Sequence, residues 1–532
     1  MSKLKELEKL LSHGKITRRE FLARASTLGL AVAVSSTMLT ACGKKEEPIS
    51  QKKGGRLRLG LSGGSTTDSL DPATIPDAVP QSVNWSLRNN LVEISADGKP
   101  VPELAESWES TPDASQWTFK IRKGVEFHNG KTLDSQDVVE SINHHRGKDS
   151  KSAAKGIVDP IKEIKAEGKD TVVFVLDGGN ADFPFIMSDY HLTIQPAGTK
   201  GAEFEKGIGT GGYMLVSHEP GVRALTKRNP NYWKEGRAHF DEVETISIAD
   251  YSARTNALKT GQVDLINRCD VKTVHLLKEA PGVQIVRVTG TRHYTLPMRT
   301  DMAPFDNNNV RLALKYALDR KQMLKLILRG YGSLGNDHPI APSNRYHAAD
   351  LPQRKYDPDK AKYHLKKAGL SGHTFKLHAA DAAFGGAVDA AVLLKEHAAK
   401  AGINIEVVKE PNDGYWSNVW LKKAWVTCYW SGRATEDWMF STAYAADAKW
   451  NDTFWKHDRF NQLVTAARAE LDDAKRREMY GECQKIIRDE GGVIVPMFAD
   501  YVEASSDKLR HGKVAGNWEM DGQKLPERWW FA

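Results

Sequence analysis

The chain has 532 residues, of which 40% are hydrophobic and 27% charged, with 43 Gly, 22 Pro and four Cys. This composition excludes an intrinsically disordered chain, a collagen-like fibre and a small disulfide-stabilised scaffold. At about 150 residues per domain, the length predicts two to four domains, each with its own core. The net charge of +7 favours a nucleic-acid or membrane-surface partner only if it belongs to the folded part of the chain.

The N-terminus has the features of an export signal. Arg18 and Arg19 precede an uncharged run over residues 25–39, and the letters LTAC end at Cys42. The run is too short and too rich in Ala, Ser and Thr for a permanent membrane-spanning helix. The arginine pair resembles a twin-arginine signal and LTAC resembles a lipobox. Residues 1–41 are therefore expected to be a twin-arginine lipoprotein signal peptide.

Cleavage of this signal would leave Cys42 as the lipid attachment point and residues 42–53 as a polar tether. We then expect a membrane-anchored protein in the periplasm or at the cell surface; the alternative is an ordinary secretion signal in which Cys42 is incidental. Residues 1–41 hold seven of the 75 basic and three of the 68 acidic side chains, which leaves 491 residues with a net charge of +3. A body this close to neutral predicts no nucleic-acid partner.

The other cysteines indicate neither a disulfide framework nor a metal site. Cys269, Cys428 and Cys483 are widely spaced, permit at most one disulfide and form no CxxC or Cys/His metal motif. The sequence also contains no P-loop and no HExxH motif. We therefore expect no metal and no cofactor, and whether two of these thiols pair stays open.

Strand-like and helix-like segments alternate along the rest of the chain, which predicts α/β lobes. Polar–apolar alternation predicts strands in six segments, at residues 56–61, 117–121, 170–176, 213–216, 283–288 and 403–408. Helical periodicity and capping residues predict helices over residues 310–328, from residue 358 to Gly369, and over residues 472–488.

Two short motifs suggest enzymes but lack the required context. Ser62 is the centre of a G-x-S-x-G sequence after a predicted strand, but a nucleophile elbow needs a helix directly behind it, and a polar, turn-forming stretch follows instead. An exported serine hydrolase using Ser62 is the alternative function. Residues 207–212 match G-x-G-x-x-G but precede a strand rather than a helix, which predicts a tight turn.

Several longer motifs resemble, in order, the extracytoplasmic solute-binding proteins of peptide/nickel ABC transporters (family 5). They are GGRLRL at 54–59 with SLDP at 69–72, PELAESWE at 102–109, WTFKIRKGVEFHNG at 117–130, GTGGY at 209–213, RNPNYW at 228–233, and PFD at 304–306 with VRLAL at 310–314 and ALDR at 317–320. The resemblance covers nearly all of residues 54–505.

The resemblance implies a two-lobed α/β periplasmic-binding-protein fold of type II, in the large cluster that has an extra subdomain in the first lobe. Lobe I would comprise residues 54–90, 206–297 and 496–532, with an insert over 91–205, and lobe II would comprise 298–495. The hinge would lie near residues 294–299 and 495–498. Ligand contacts with both lobes would stabilise closure, which the membrane permease recognises.

The resemblance also implies where a ligand lies, in the stretch after a Trp-Ser/Thr-Gly block. In this chain that stretch begins at Trp430 and contains Arg433, and Asp437 is the match for a family carboxylate that takes an amino group. The family's Asp-Pro-Asp-Asn-Phe run is replaced by Glu-Asp-Trp-Met-Phe. The expected ligand-binding residues are Trp430, Arg433, Glu436, Asp437 and Trp438, with Ser65 and Thr66 from the opposite lobe, and Trp416 and Trp420 as further cleft walls.

We therefore expect a non-enzymatic solute receptor that delivers its ligand to the permease and ATPase subunits of an ABC importer and acts as a monomer. Glu436 and Asp437 favour a short peptide or another amine-bearing compound, because a carboxylate pairs with an ammonium. Metal chelates, opines and oligosaccharides stay open. A periplasmic chaperone or sensor-binding module on the same fold is a further alternative.

Overall fold

A computed structural model describes residues 52–412 and 414–532. The expectations for Arg18, Arg19, Cys42 and most of the tether lie outside these residues. Within the described ranges, no helix has both the length and the apolar composition needed to cross a bilayer.

The strands of the described chain are short, and the longest of them have seven residues. They are β1 (Arg56–Leu61), β2 (Val92–Ile94), β3 (Pro100–Pro102), β4 (Ala105–Ser110), β5 (Gln116–Ile121), β6 (Ile161–Ala166), β7 (Thr171–Leu176), β8 (Tyr213–Glu219), β9 (Arg223–Arg228), β10 (Glu242–Ser247), β11 (Leu265–Ile266), β12 (Val283–Val288), β13 (His293–Pro297), β14 (Gly332–Leu334), β15 (Thr374–Ala379), β16 (Asn404–Lys409), β17 (Cys428–Trp430), β18 (Val493–Ala499), β19 (Tyr501–Ser506), β20 (Leu509–Arg510) and β21 (Trp530–Phe531).

The α-helical segments range from single turns to 18 residues. They are α1 (Ala78–Leu87), α2 (Ser135–Asn143), α3 (Lys155–Val158), α4 (Phe183–Ile186), α5 (Tyr251–Lys259), α6 (Val274–Lys278), α7 (Asn308–Tyr316), α8 (Arg320–Ile327), α9 (Pro358–Lys367), α10 (Ala387–Ala399), α11 (Tyr415–Asn418), α12 (Glu436–Ala443), α13 (Asp458–Ala469), α14 (Asp473–Glu490), α15 (Glu519–Gly522) and α16 (Leu525–Arg528).

The first lobe is built on a seven-stranded sheet of order β12-β19-β11-β1-β10-β9-β8. The alternation in β1 buries Leu57, Leu59 and Leu61 completely against the core, as expected for a strand with one apolar face. β1 runs parallel to β10 and β11, whereas the other neighbours in this sheet are antiparallel. This sheet therefore combines strands from the start of the described chain, such as β1, with β19 from near its C-terminal end.

The second lobe contains an antiparallel sheet of order β14-β18-β13-β17, with the parallel pair β15-β16 beside it. Its core includes apolar residues of α7 to α10 and of these strands. A third, four-stranded antiparallel sheet, β4-β5-β7-β6, forms the insert and has its own apolar core. The protein therefore has two α/β lobes and a small β-rich insert.

The chain passes between the two lobe sheets at residues 289–292 and at Asp500. We expected the lobe boundaries near residues 297 and 496, and the hinge at 294–299 and 495–498. Residues 294–297 of the first stretch and all of the second lie in β13 and β18 of the second-lobe sheet, where β13 is paired with β17 and β18 over most of its length. The sheet exchanges are therefore a few residues from the expected places. That the lobes move as units stays a prediction.

The six predicted strands are confirmed within a few residues, as are the helices that begin at Pro358 and Asp473. The single helix predicted over 310–328 is wrong. The chain leaves the helix after Tyr316, and the Asp319 side chain accepts a hydrogen bond from the Gln322 amide to cap a new helix, α8. An N-cap aspartate satisfies amides that would otherwise lack partners, and here it allows a new helix to begin. The apolar periodicity of the sequence therefore continues although the helix itself is interrupted.

Lys234 joins three separate segments of the chain. Its ammonium group lies 2.6 Å from Glu93, 2.7 Å from Glu103 and 3.0 Å from Glu527, all buried carboxylates. Burial alone would lower the pKa of Lys234, but these three charges hold it well above its ordinary value. The carboxylates are grouped closely enough to hold a metal ion, but the ammonium takes the central place. We call this group the Lys234 cluster.

Replacement of Lys234 by Met should reduce the free energy of unfolding by about 3–5 kcal/mol, because three carboxylates would be left buried with too little positive charge. Urea titration of the purified protein measures this. The control is Lys227→Met on the exposed face of β9, for which we expect a change within about 0.5 kcal/mol. Equal losses in the two variants would contradict the role of the cluster.

Candidate functional site

A cavity of about 650 Å³ lies between the lobes. First-lobe residues Asp77, Arg268 and Tyr501 line one side, and Arg433 and Trp438 of the second lobe line the other. The insert adds a third wall, which includes Tyr190, Asp189 and Ile157. This volume is in the range of small-molecule sites, which are found preferentially where two domains meet.

The carboxylates of this cavity already have partners. Arg268 lies 2.5 Å from Asp77 and 2.6 Å from Glu519, and Asp189 accepts a 2.7 Å hydrogen bond from the His191 ring. A ligand cation would have to compete with these contacts.

Two arginines of the cavity do not have such partners. Among the described residues, no carboxylate lies within the 4.0 Å of an ion pair from Arg292 or Arg433. Arg433 donates to the Ser431 carbonyl at 2.7 Å, and its guanidinium carbon lies 5.7 Å from the Trp438 ring centre. The Arg292 guanidinium lies 5.6 Å from the Tyr501 ring. The Arg292 Nε atom is buried without a hydrogen-bond acceptor in the described chain.

The backbone explains why these arginines share a cavity. Arg292 directly precedes β13 and Arg433 follows β17, and the two strands pair with His293 opposite Trp430. The loop carries Gly432, where a Cβ atom would collide with the Thr291 side chain. Close approach at this glycine therefore holds the crossing segment against the loop that carries Arg433.

A second, smaller cavity of about 280 Å³ adjoins the first and shares Arg433, Ser431 and Trp450 with it. Five aromatic side chains line it, and we call it the aromatic pocket: Trp416, Trp420, Tyr429, Trp430 and Trp450. Neighbouring ring centres are 5.7–6.2 Å apart, within the range of favourable aromatic contacts.

The rings of the aromatic pocket divide into fixed and open ones. Trp420 donates its indole N–H to Asp452 at 3.1 Å, and Trp430 is buried. By contrast, Trp416, Tyr429 and Trp450 are 40%, 38% and 50% exposed. Exposed large aromatic faces grouped in one concave place are typical of a binding surface.

A third cavity of about 700 Å³ continues from the first past Trp438 and is lined by Asp437 and Arg468. Asp437 is buried and its carboxylate lies 3.0 Å from the Arg468 guanidinium. Glu436 points into the second lobe, where it accepts a 2.8 Å hydrogen bond from the Tyr346 amide. Burial raises the pKa of Glu436 to about 7 and also raises that of Asp437.

The insert touches the second lobe beside this cavity. Asp182 of the insert lies 2.8 Å from Arg476 of α14, and both side chains are nearly inaccessible to solvent. The Ala181 amide also donates to the Arg468 carbonyl at 2.7 Å. These contacts set the distance between the insert wall and the wall that carries Asp437.

The structure brings four of the expected ligand-binding residues to the cleft cavities: Trp430, Arg433, Asp437 and Trp438. Glu436 lies beneath that surface. Ser65 and Thr66 are exposed beside the turn at Gly221 and are not among the described residues that line the three cavities. The role of all seven in ligand binding stays a prediction.

Sequence reasoning missed the first-lobe wall, including Asp77, Arg268 and Glu519, and also Arg292 in the segment that crosses between the lobes. These residues are separated by long stretches of chain and carry no common motif. A signal did exist for the aromatic pocket, because seven of the 14 Trp residues fall within residues 416–455.

Ser62 does not form a nucleophile elbow. Its hydroxyl lies 3.4 Å from the amide oxygen of Asn267, and no imidazole of the described chain is within hydrogen-bond distance of it. The next α-helix begins only at Ala78. In the G-x-G-x-x-G segment, Gly209 packs against the end of α1, where a Cβ atom would collide with the Leu87 carbonyl. That segment is a close-packed turn, as predicted.

The three described cysteines, Cys269, Cys428 and Cys483, are buried and free. Burial raises the pKa of the Cys269 thiol to about 12, so this side chain is inert at neutral pH.

Comparisons with known proteins agree with this architecture. The family model of bacterial extracellular solute-binding proteins, family 5 Middle, matches residues 99–452. The dipeptide-binding protein of Escherichia coli K12 is 27% identical over 509 residues, covering 84% of this chain and 94% of that protein. Heme-binding protein A of Haemophilus influenzae is 30% identical over 308 residues, covering 53% and 56%.

Among solved structures, the periplasmic binding protein DppA of Helicobacter pylori, in complex with the peptide STSA, superimposes with a TM-score of 0.73. It is 23% identical and covers 90% of this chain and 99% of that one. The two-lobed α/β fold is therefore that of a solute-binding protein. The chain belongs to the family 5 bacterial extracellular solute-binding proteins, which bind and do not transform their ligands.

Glu436 generates a pH-dependent prediction. Because its pKa is raised from 4.5 to about 7, the folded state holds the proton more tightly than the unfolded chain does. The resulting stabilisation is complete below the unfolded pKa and is lost as the pH rises through the folded pKa. Glu436→Gln stays neutral and keeps an oxygen for the Tyr346 amide. It should be about 1–3 kcal/mol more stable than the parent chain at about pH 8, and no more stable at about pH 4.

Urea unfolding at a series of pH values measures this difference. The control is Glu478→Gln on the exposed side of α14, whose profile should run parallel to that of the parent chain. A Glu436→Gln profile parallel to that of the parent chain would show that Glu436 is ionised in the folded protein.

Proposed function

We propose that this family 5 protein is the solute-receiving subunit of an ABC importer. It captures a small solute between its lobes and presents the closed form to the membrane permease and its ATPase subunits. The observation that carries the proposal is the cavity of about 650 Å³, which both lobes and the insert line with polar and aromatic side chains. A ligand that contacts both lobes stabilises their closed arrangement by its differential affinity. The protein acts as a monomer.

The ligand class that we propose is a short peptide or another amine-bearing solute. The name of the E. coli relative, a dipeptide-binding protein that this chain matches over most of its length, supports this class. Asp437 lines the cleft and is the acid that we assign to an amino group, although it also contacts Arg468. Trp430, Trp438 and Arg433 border the same space.

We also propose that the protein reaches the periplasm by the twin-arginine route and stays bound to a membrane through a lipid on Cys42. The order of Arg18-Arg19, the uncharged run and LTAC supports this proposal. Several acyl chains at one cysteine hold a protein far more firmly than a single chain.

Binding is tested by a thermal-shift screen of residues 43–532 against dipeptides, amines, opines, sugars and nickel chelates. A ligand that binds the native state raises the melting temperature by mass action. Trp438→Ala should lose the shift, whereas the control Tyr363→Ala, a 61% exposed ring on α9, should keep it. If none of these solute classes gave a shift, the proposed function would be refuted. Hydrolysis of a peptide or ester that Ser62→Ala abolishes would favour the hydrolase instead.

Export and anchoring are tested in cells of the source organism. Cys42→Ser should abolish incorporation of labelled palmitate and release the protein into the soluble periplasmic fraction. Arg18→Lys with Arg19→Lys should retain the precursor in the cytoplasm, and Lys15→Arg is the matched control outside the arginine pair. Palmitate labelling of the Cys42→Ser variant would contradict the anchor, and normal export of the double variant would contradict the route.

A further inference from the structure

In the main cavity of the described chain the carboxylates have partners, whereas two of the arginines have no carboxylate partner. The expected amine-binding acids do not explain this difference. Three arginines and three carboxylates line the main cavity, so its formal charge is balanced. The carboxylates are engaged, Asp77 and Glu519 by Arg268 and Asp189 by His191. Arg292 and Arg433 are the cations for which the described chain supplies no carboxylate within ion-pair distance.

A guanidinium that is partly buried in the main cavity without a carboxylate partner reduces the stability of the folded protein. Arg433 is partly buried, and burial lowers its pKa, which reports loss of hydration around the charged form. The Arg292 Nε atom is enclosed and finds no acceptor among the described residues. Buried polar donors are nearly always satisfied, and Arg292 Nε is one that is not, whereas Arg433 donates to the Ser431 carbonyl. What both guanidiniums lack in the described chain is a carboxylate, and guanidinium groups bind carboxylates through parallel hydrogen bonds.

The aromatic pocket lies directly beside this pair, since Arg433 lines both cavities. Its five rings would attract either a cation or a planar apolar group. A cation in the pocket would sit next to the Arg433 guanidinium and be repelled by it. A planar ring meets no such repulsion and would cover the open faces of Trp416, Tyr429 and Trp450.

We propose that the cleft selects a small carboxylic acid that carries a planar ring, with the acid between Arg292 and Arg433 and the ring in the aromatic pocket. This inference rests on the proposed receptor function and replaces the amine by an acid and a ring as the defining groups of its ligand. It includes peptides with a free carboxyl terminus and an aromatic side chain, and it makes the acid and the ring, rather than the amino group, the main determinants of affinity.

The test uses three probes that share an indole ring and a two-carbon chain: indole-3-propionate, its neutral amide indole-3-propionamide, and tryptamine. Isothermal titration calorimetry of residues 43–532 should show binding of the acid, with the amide and the amine at least about tenfold weaker. Butyrate, which has the acid without the ring, should also be at least about tenfold weaker. If the amide or tryptamine bound as tightly as the acid, or if the acid did not bind at millimolar concentration, the inference would be overturned.

Variants of the cavity residues test where the acid group and the ring of the ligand bind. Arg433→Gln and Arg292→Gln should each remove most of the preference for the acid over the amide, and Trp450→Ala should weaken both probes equally. The control Arg329→Gln lies after α8, away from these cavities, and should change neither. Melting temperatures of the free variants verify folding, and either arginine variant suffices if the other does not fold. An unchanged acid preference in a folded arginine variant would overturn the inference.

The outcomes also separate this inference from the function on which it rests. If dipeptides or other solutes shift the melting temperature while the acid and ring prove dispensable, the protein is still a solute receptor and only the ligand class is wrong. If no solute of the wider screen binds, the receptor function itself fails.

Discussion

The placement of the cleft walls depends on one ammonium group, that of Lys234, which is largely shielded from solvent. Lys234 belongs to the first lobe, whereas Glu93 and Glu103 belong to the start of the insert and Glu527 to the C-terminal segment. Lys524 lies 2.9 Å from Glu103 and Arg528 lies 2.7 Å from Glu93, so the same carboxylates hold the chain end. Because unpaired charges in this interior are costly, the three segments have few alternative arrangements.

This constraint reaches the ligand site through the insert. The insert begins at the Lys234 cluster, forms its own sheet and core, and contributes Tyr190 and Ile157 to the cleft. At its far side Asp182 pairs with Arg476 of the second lobe. The insert thus has a fixed end in the first lobe and an ion pair with the second. If the lobes separate on this side with the insert attached to the first lobe, this ion pair must break and both charges become hydrated.

Local sequence patterns predicted the fold better than the site. The alternation in β1 and the Asp-Pro start of α9 are encoded by neighbouring residues, so they could be read directly. The interruption before α8 was missed, because the apolar periodicity continues through it, although Asp319 caps the start of a new helix there. The first-lobe wall was missed for a different reason: contacts such as Arg268 with Glu519 join residues that are 251 positions apart. Only the tertiary fold defines them.

The same long-range pairing determines which charged groups of the cleft remain available to a ligand. A carboxylate in the sequence suggests an amine partner, but Asp77 and Glu519 share Arg268, and Asp437 is held by Arg468. An arginine in the sequence suggests a surface ion pair, yet Arg292 and Arg433 face the cavity with aromatic neighbours. The chemistry of a binding site is therefore set by the groups that the fold leaves unpaired. In this cleft those groups are two guanidiniums and the exposed faces of the side chains that line the aromatic pocket.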